Sequence, residues 1–561
     1  MLKISKMKNY PSKVTHFFTI LLILSVAFII GCESDKERTN SVVLAIPSDV
    51  TTFSPLYAMN VYEGNITEQI FLGLAGHRWL DEEGRIESFP LLAESWEWNR
   101  DSNFVAIDLR EDVVWSDGEK FTAEDVIFSY DVYSDPEVQS RFFGFFTNYF
   151  TNEDLSIDIE KSFHIISPNK IRINFKPDAF PSVFDFDLPI IPKHKYEGIA
   201  RKDFMTAKSN LEPVGSGPYM LSSRKRDESI TLKLREENFL SKDESISRIL
   251  FKVIPDYKAR LIQLETGEID FVDDIKPDDV EEIKTFENIK IEFQKGRDYD
   301  YIGWNNIDVA SFTNDKKLKP NKLFGSKEVR NALTYAINRE IIVNEILNNY
   351  GEIAVGPVSQ IFKNEFNNEI KPLEFDRDKA ESLLAEAGWE DSDNDGILEK
   401  GDLEFSFILS IPGGNPRRSA VATVVKENLK AVGVEAEIET MEPSVFFNKM
   451  FNKELEAWIA GWSVPIPLDL KPYWHSDLEN NFGNTASFRN EKLDKLLDEI
   501  NLDLDGAPEK LKKVQNILHE EQPVTFLFWV DNIIAYNNNL ENVKVNPLGV
   551  MQKCWQWKWE N

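Results

Sequence analysis

Two cysteines in 561 residues, Cys32 and Cys554, constrain the fold of this chain more than any other feature. A chain with at most one disulfide cannot be stapled loop by loop, so burial of apolar surface has to hold it together. The means are there: 42% of its residues are hydrophobic and 12% aromatic, enough for two or three lobes, each with a core. Strand-like and helix-like runs alternate along the chain, with no fixed-period repeat, low-complexity block or interdomain linker. Alternation predicts α/β lobes. A chain this long without a linker predicts lobes joined by several crossings.

The N-terminus reads as a processing signal. Lys3, Lys6, Lys8 and Lys13, with no acidic residue among them, precede an apolar run at 17–30. That run is short for a bilayer span and right for a signal-peptide core. It ends at Ile29-Ile30-Gly31-Cys32, which resembles the bacterial lipobox, where cleavage before the cysteine precedes acylation of its sulfur. Residues 1–31 are then the leader, Cys32 the lipid anchor and 32–40 a polar tether. With Cys32 acylated, Cys554 is left without a disulfide partner. No second stretch is long and apolar enough to cross a membrane, which predicts a soluble body held to the envelope by lipid. Removing the leader leaves 60 basic against 95 acidic residues, a net charge of −35. Such a surface argues against nucleic acid or anionic lipid as a partner.

Local signals place several elements. Thr122 and Asp125 form a capping box, with Phe121 and Val126 as its staple, and start a helix at "FTAEDVIFSY". In "SKEVRNALTYAINREIIVNEIL", Val329, Ala332, Leu333, Ala336, Ile337 and Ile341 share one face, predicting one helix that Gly351 stops. Asp376 caps a second helix with Ala380, Leu383, Leu384 and Ala387 inward and Gly388 behind. A third, roughly 508–521, ends before Pro523 and the strand "VTFLFWV". "PVGSGPYML" lacks P-loop spacing and reads as backbone geometry.

Catalytic patterns are missing. "VGSGP" is not a nucleophile elbow, and His77, His164, His194, His475 and His519 are scattered singly rather than paired as in metalloproteases. One metal-type pattern stands out: "DSDNDGILEKGD" puts Asp391, Asp393, Asp395, Glu399 and Asp402 at positions 1, 3, 5, 9 and 12 of a calcium-type loop, with Gly396 at its turn. Position 12 is Asp rather than Glu, and an Asp-rich surface turn explains the run equally well. No cofactor is expected beyond this structural calcium.

The runs "FPLLAESWEW", "LREDVVWSDGEKFTAEDVIFSY", "IIPKHKYEG", "PVGSGPYML", "ARLIQLETGEIDF", "YIGWNN", "VRNALTYAINRE", "DRDKAESLLAEAGWEDSDNDGILEKGD" and "IAGW" together resemble the family 5 solute-binding proteins of ABC importers, the dipeptide, oligopeptide and nickel group. The resemblance implies a type II periplasmic-binding-protein fold, two α/β domains around a cleft with an extra lobe in the first. Carried onto this chain, domain I takes 41–298 with the lobe near 60–205, domain II takes 299–524, and 525–561 return to domain I. Hinges would lie at 299–301 and 525–528. It further implies a non-enzymatic monomer, anchored in the cell envelope, that closes on a solute and hands it to a permease driven by ATPase subunits.

The broken aromatic run "GWSVPIPLDLKPYWHSDLENN" (461–481) then falls on the cleft wall. In peptide-binding members an Asp three residues after the Trp pairs with the ligand's α-amino group; here that position is Pro465, and the next acid is Asp469. Trp462, Ser463, Asp469, Tyr473 and Trp474 are the candidate contacts, with Trp304 and Asn305 of "YIGWNN" and Thr52 and Phe53 of the opening turn added by position. Peptide is the leading cargo. An oligosaccharide, nickel or haem on the same scaffold, and a secreted hydrolase, are the alternatives.

Overall fold

The computed structural model describes residues 40–500 and 506–560; the expected leader, the expected acylation of Cys32 and most of the expected tether lie outside the described residues. Eleven strands form one mixed sheet: β1 (Ser41–Ile46), β2 (Tyr219–Lys225), β3 (Ser229–Leu234), β4 (Arg248–Val253), β5 (Phe271–Val272), β6 (Ile289–Trp304), β7 (Gly351–Ile353), β8 (Ser406–Pro412), β9 (Glu435–Met441), β10 (Ala457–Ser463) and β11 (Val524–Asn537). Their order is β9-β8-β10-β6-β11-β5-β1-β4-β3-β2, with β7 on β11.

Among the described residues only β6 and β11, of 16 and 14 residues, run through both halves. They are antiparallel: Ile289 to Gln294 of β6 face Asn537 to Asn532 of β11, while Asp298 to Gly303 face Val530 to Val524. Between these blocks the register slips. Gly296 sits in the slip, where a Cβ would lie 1.9 Å from the carbonyl oxygen of Val530. The cores divide at the same place. Beyond it Ile533 to Tyr536 enter the cores around β1 and β4. Before it Tyr299, Tyr301, Ile302 and Phe526 to Trp529 enter two cores of the second domain. Residues 299–301 and 525–528, expected as hinges, are therefore inside the second domain, and the return to the first begins near Asp531.

A four-stranded antiparallel sheet, in the order Ala93–Asn99, Phe104–Leu109, Lys170–Asn174, Phe163–Ser167, builds the smaller lobe, and its apolar face merges with the core of the first domain. Two helices flank this lobe, the first reaching the main sheet and the second packing on the lobe itself. In α1 (Val61–Ile70), Asn60 accepts from the Glu63 amide at 2.9 Å. The buried Glu63 carboxylate in turn accepts from the amides of Thr51 (2.8 Å) and Met59 (3.0 Å). Its far end is packed against the "GSGP" turn: a Cβ on Gly215 would fall 1.9 Å from the Ile70 carbonyl oxygen, and the Gly217 amide donates to it at 2.8 Å. In α2 (Ala123–Ser134), Asp125 accepts from the Thr122 amide at 2.9 Å, and Phe121 and Val126 are buried.

The expected single helix after Ser326 is broken. α3 (Lys327–Ala336) stops at Ile337, which is extended, and Asn338 caps a new short turn by accepting from the Ile341 amide at 3.0 Å. The reversal buries Arg339, whose guanidinium donates to the carbonyls of Phe526 (2.8 Å), Ala354 (3.3 Å) and Leu373. Ile341 is exposed as a result. The cost of burying a charged group is offset by carbonyls that only this turn brings within reach. α4 (Arg377–Glu386) begins at Asp376 as read, with Ala380 and Leu384 buried. α5 (Pro416–Lys430) and α6 (Ala507–Glu521) also belong to the second domain.

Candidate ligand-binding cleft

Strand β10 delivers Trp462 and Ser463 to the seam between the domains. Trp462 is half-buried, its ring edge-on to Tyr473 at 5.0 Å and 6.1 Å from Phe451; Ser463 is exposed. The loop that follows is clamped to the register slip: the Val464 amide donates to the Arg297 carbonyl at 2.9 Å, and Arg297 Nη1 donates to the Val464 carbonyl at 2.5 Å. Asp469 is half-buried and accepts from the Lys471 amide at 3.0 Å; burial pushes its carboxyl above the usual carboxylate range. Trp474 is buried against Phe526 at 5.7 Å. These aromatics border two recesses of only about 10 Å³ each.

The remaining expected contacts are interior. Trp304 is wholly buried, with its Nε1 donating to Thr525 Oγ1 at 3.0 Å. Asn305 is spent on the carbonyls of Leu455 (2.9 Å) and Lys453 (3.2 Å). Phe53 is fully buried with the Arg224 guanidinium 5.5 Å from its ring centre, and the Thr52 hydroxyl accepts from the Ser54 amide at 3.0 Å. "YIGWNN" lies where the sheet is covered on both faces: Tyr301 enters one core of the second domain, Ile302 and Trp304 enter the other, and Asn305 is buried at the strand's end. No ligand can reach Trp304 without unpacking the domain.

A larger cavity, of about 320 Å³, lies next to this wall. The second domain gives it Ile466, at the tip of the clamped loop; α1 gives Glu68; the hairpin Ala75–Leu80/Arg85–Pro90 gives His77; the lobe gives Arg141 and Asp187; and the C-terminal segment gives Lys553. His77 is fixed at both ring nitrogens, to Asp187 at 2.7 Å and Ser88 Oγ at 3.0 Å, and its ring stacks on Phe184 at 4.5 Å. Burial pushes the Asp187 carboxyl up, against the pull of His77. Behind α1, the buried Cys554 thiol donates to Gln69 Oε1 at 2.9 Å, a packing role that requires no disulfide. Glu68 was hidden in the sequence because "NITEQIFLG" shows it only as one polar residue on a short helix, and nothing there says the last turn faces a cavity.

The Asp-rich loop folds as a tight turn around Gly396, at φ +93°. Carboxylate oxygens of Asp391, Asp393, Asp395 and Glu399 all lie within 4.8 Å of one another; Asp402 is not part of the group. The Gly396 amide donates to Asp391 at 3.1 Å and the Ser392 amide to Glu399 at 2.9 Å.

Two α/β domains joined by two crossing strands, with an extra lobe on the first and a cavity at the seam, define a type II periplasmic-binding-protein-like solute receptor. Residues 87–484 match the model of the bacterial extracellular solute-binding proteins, family 5 (Middle), and the chain belongs to that family. It is 28% identical, across 96% of its own length and 97% of the relative's, to the oligopeptide-binding protein AppA of Bacillus subtilis. The solved structure of that protein in complex with a nonapeptide superposes with a TM-score of 0.73 at 27% identity, covering 93% of this chain and all of that one. NikZ of Campylobacter jejuni in complex with Ni(L-His) gives a TM-score of 0.72 at 25% identity, with 92% and 99% coverage.

Proposed function

We propose that this protein is the solute receptor of an ABC importer and that its cargo is peptide. One observation carries the reading: the cavity at the seam draws its walls from the first domain, the lobe and the second-domain loop, on a chain akin over nearly its full length to an oligopeptide-binding protein. Peptide main chain entering this seam would bridge the halves, and the halves would close about the register slip at 295–297. Binding is the whole mechanism, because a ligand that contacts both domains stabilises only the closed arrangement. No covalent step is assigned, and acidic surface makes nucleic acid an unsuitable partner. Acylated Cys32 would hold a monomeric receptor in the cell envelope, outside the cytoplasm, within reach of the permease and its ATPase subunits.

Native mass spectrometry of the purified protein tests this directly. Release of peptides on denaturation, followed by their rebinding to stripped protein in calorimetry, is the expected result. Release of a glycan, nickel chelate or haem in their place would replace the cargo and keep the scaffold; steady hydrolysis of the cargo would overturn the reading. The four carboxylates of the Asp391–Glu399 turn suit a hard cation, and a structural calcium there belongs to the same proposal. Calcium added to chelator-stripped protein is expected to raise Tm in the native sequence and not in Asp393→Asn.

A further inference from the structure

The cavity at the seam holds one acidic group that no hydrogen bond or ion pair engages among the described residues. Glu68 stands on the last full turn of α1, and its carboxylate accepts no hydrogen bond and forms no ion pair among the described residues. It is exposed, and the surface it presents lines the cavity. Phe71, Leu72, Phe89 and Phe142 supply apolar wall around it. The other charged groups of the cavity are engaged or turned elsewhere. Arg141 donates Nη1 to the Ala58 carbonyl at 2.5 Å and lies 4.5 Å from the centre of the Phe142 ring. Asp187 is held by His77. Lys553 sits over the Phe89 ring at 4.3 Å, and the Cys554 thiol is bonded to Gln69.

An isolated carboxylate in such surroundings is unfavourable: desolvation by the cavity walls pushes its ionisation up to about 7, and only the more distant Arg141 pulls it back. A cation delivered to the same spot would be strongly held, since apolar walls weaken screening. Pro465 stands where the chain's own second-domain loop could have offered an acid, and Asp469 is tied to the Lys471 amide.

Resting on the reading of the protein as a peptide receptor, we propose that Glu68 is the specificity-determining anchor for a primary ammonium group of the cargo, received from the first domain rather than from the wall that carries Trp462. The ammonium can come from a peptide's α-amino group or from a lysine side chain. A carboxylate at this place selects against N-blocked, lysine-free peptides, and it seats one end of the ligand against α1 while Ile466 closes over it from the second domain.

The test uses the mature full-length protein, stripped of cargo, and defined peptide pools of three to nine residues: free amino termini, the same sequences N-acetylated, and each version with and without lysine. Retained species are read by native mass spectrometry for the native protein and for Glu68→Gln, with Tm as a folding check. The native protein is expected to retain the free-amine pools at least tenfold better than the acetylated, lysine-free pool, and Glu68→Gln to lose that preference while keeping its residual binding of acetylated peptides. Rescue of acetylated peptides by lysine alone would assign the side-chain source; no rescue would assign the α-amino group. Equal retention of free and acetylated pools by the native protein, or an unchanged preference in Glu68→Gln, overturns the anchor and leaves the receptor reading intact. Retention of no pool by the native protein overturns the receptor reading itself, and the anchor with it.

Discussion

At residue scale the contrast between Glu63 and Glu68 shows how five positions on one helix separate a structural acid from a poised one. Burial works to raise the Glu63 carboxyl, but four hydrogen bonds from Thr51, Met59 and Asn60 outweigh it, so the charge is held below the usual range. Glu68 has the surrounding cavity walls without the bonds, and they push its carboxyl up to about 7. An acid whose folded value lies above its unfolded one, about 4.3, contributes fully to stability only below the unfolded value. Its contribution is lost as pH rises from there through 7. Glu68→Gln is therefore expected to raise Tm at pH 8 and leave it unchanged at pH 4. Because the group is exposed and its charge is screened by solvent, the gain should be about 1 kcal/mol. Thermal melts at the two pH values decide it, and a Gln variant less stable at pH 8 would mean the carboxylate has a partner. Trp462 makes the opposite case, a large ring only half-buried at the seam. Its replacement by Ala is expected to weaken peptide binding by ~1–3 kcal/mol in calorimetry. Unaltered affinity with a lowered Tm would mark the ring as core, like Trp304.

The elements themselves depend on a few local devices, and one of them is a glycine. Gly296→Ala would drive a methyl into the Val530 carbonyl, 1.9 Å from the ideal Cβ, at the point where the two crossing strands change register. Neither strand can retreat alone, so a loss of about 2 kcal/mol or more is expected in denaturant unfolding. A variant of native stability would show the slip to be loosely held. Legibility followed the same grain. Caps at Thr122 and Asp376 were readable because they are local: Asp376 accepts from the Lys379 amide three residues on, and Asp125 reaches back three residues to accept from the Thr122 amide. The break after Ala336 was not, because its cause is Arg339 meeting carbonyls from residues 354, 373 and 526. The site divided likewise. The family motif led to Trp462 and the loop after it, whereas Trp304 and Asn305 shared a motif but faced inward. Glu68 needed the lobe, the C-terminal segment and the second domain assembled around it before its isolation could be seen.

For the whole molecule the decisive feature is that the cleft loop and the crossing strands are bonded to each other. Arg297 and Val464 exchange two hydrogen bonds, so Ile466, two residues beyond, moves with the segment about which the domains bend. Lys295, beside them, pairs with Asp531 at 3.2 Å and with Glu352 at 3.8 Å, tying the same segment to β11 and β7. A ligand pressing on the loop is thereby mechanically joined to the bend, and the energy of that contact can be used to favour closure. Arg297→Met keeps the backbone bond and the aliphatic stem but removes the guanidinium bond to the Val464 carbonyl. It should weaken peptide binding by about 1–2 kcal/mol and reduce the fraction of molecules closed at a given peptide concentration. Small-angle scattering, with and without a peptide shown to bind, measures that fraction through the radius of gyration. Full compaction in the variant at the native midpoint would separate loop from hinge and leave closure to the remaining contacts across the seam.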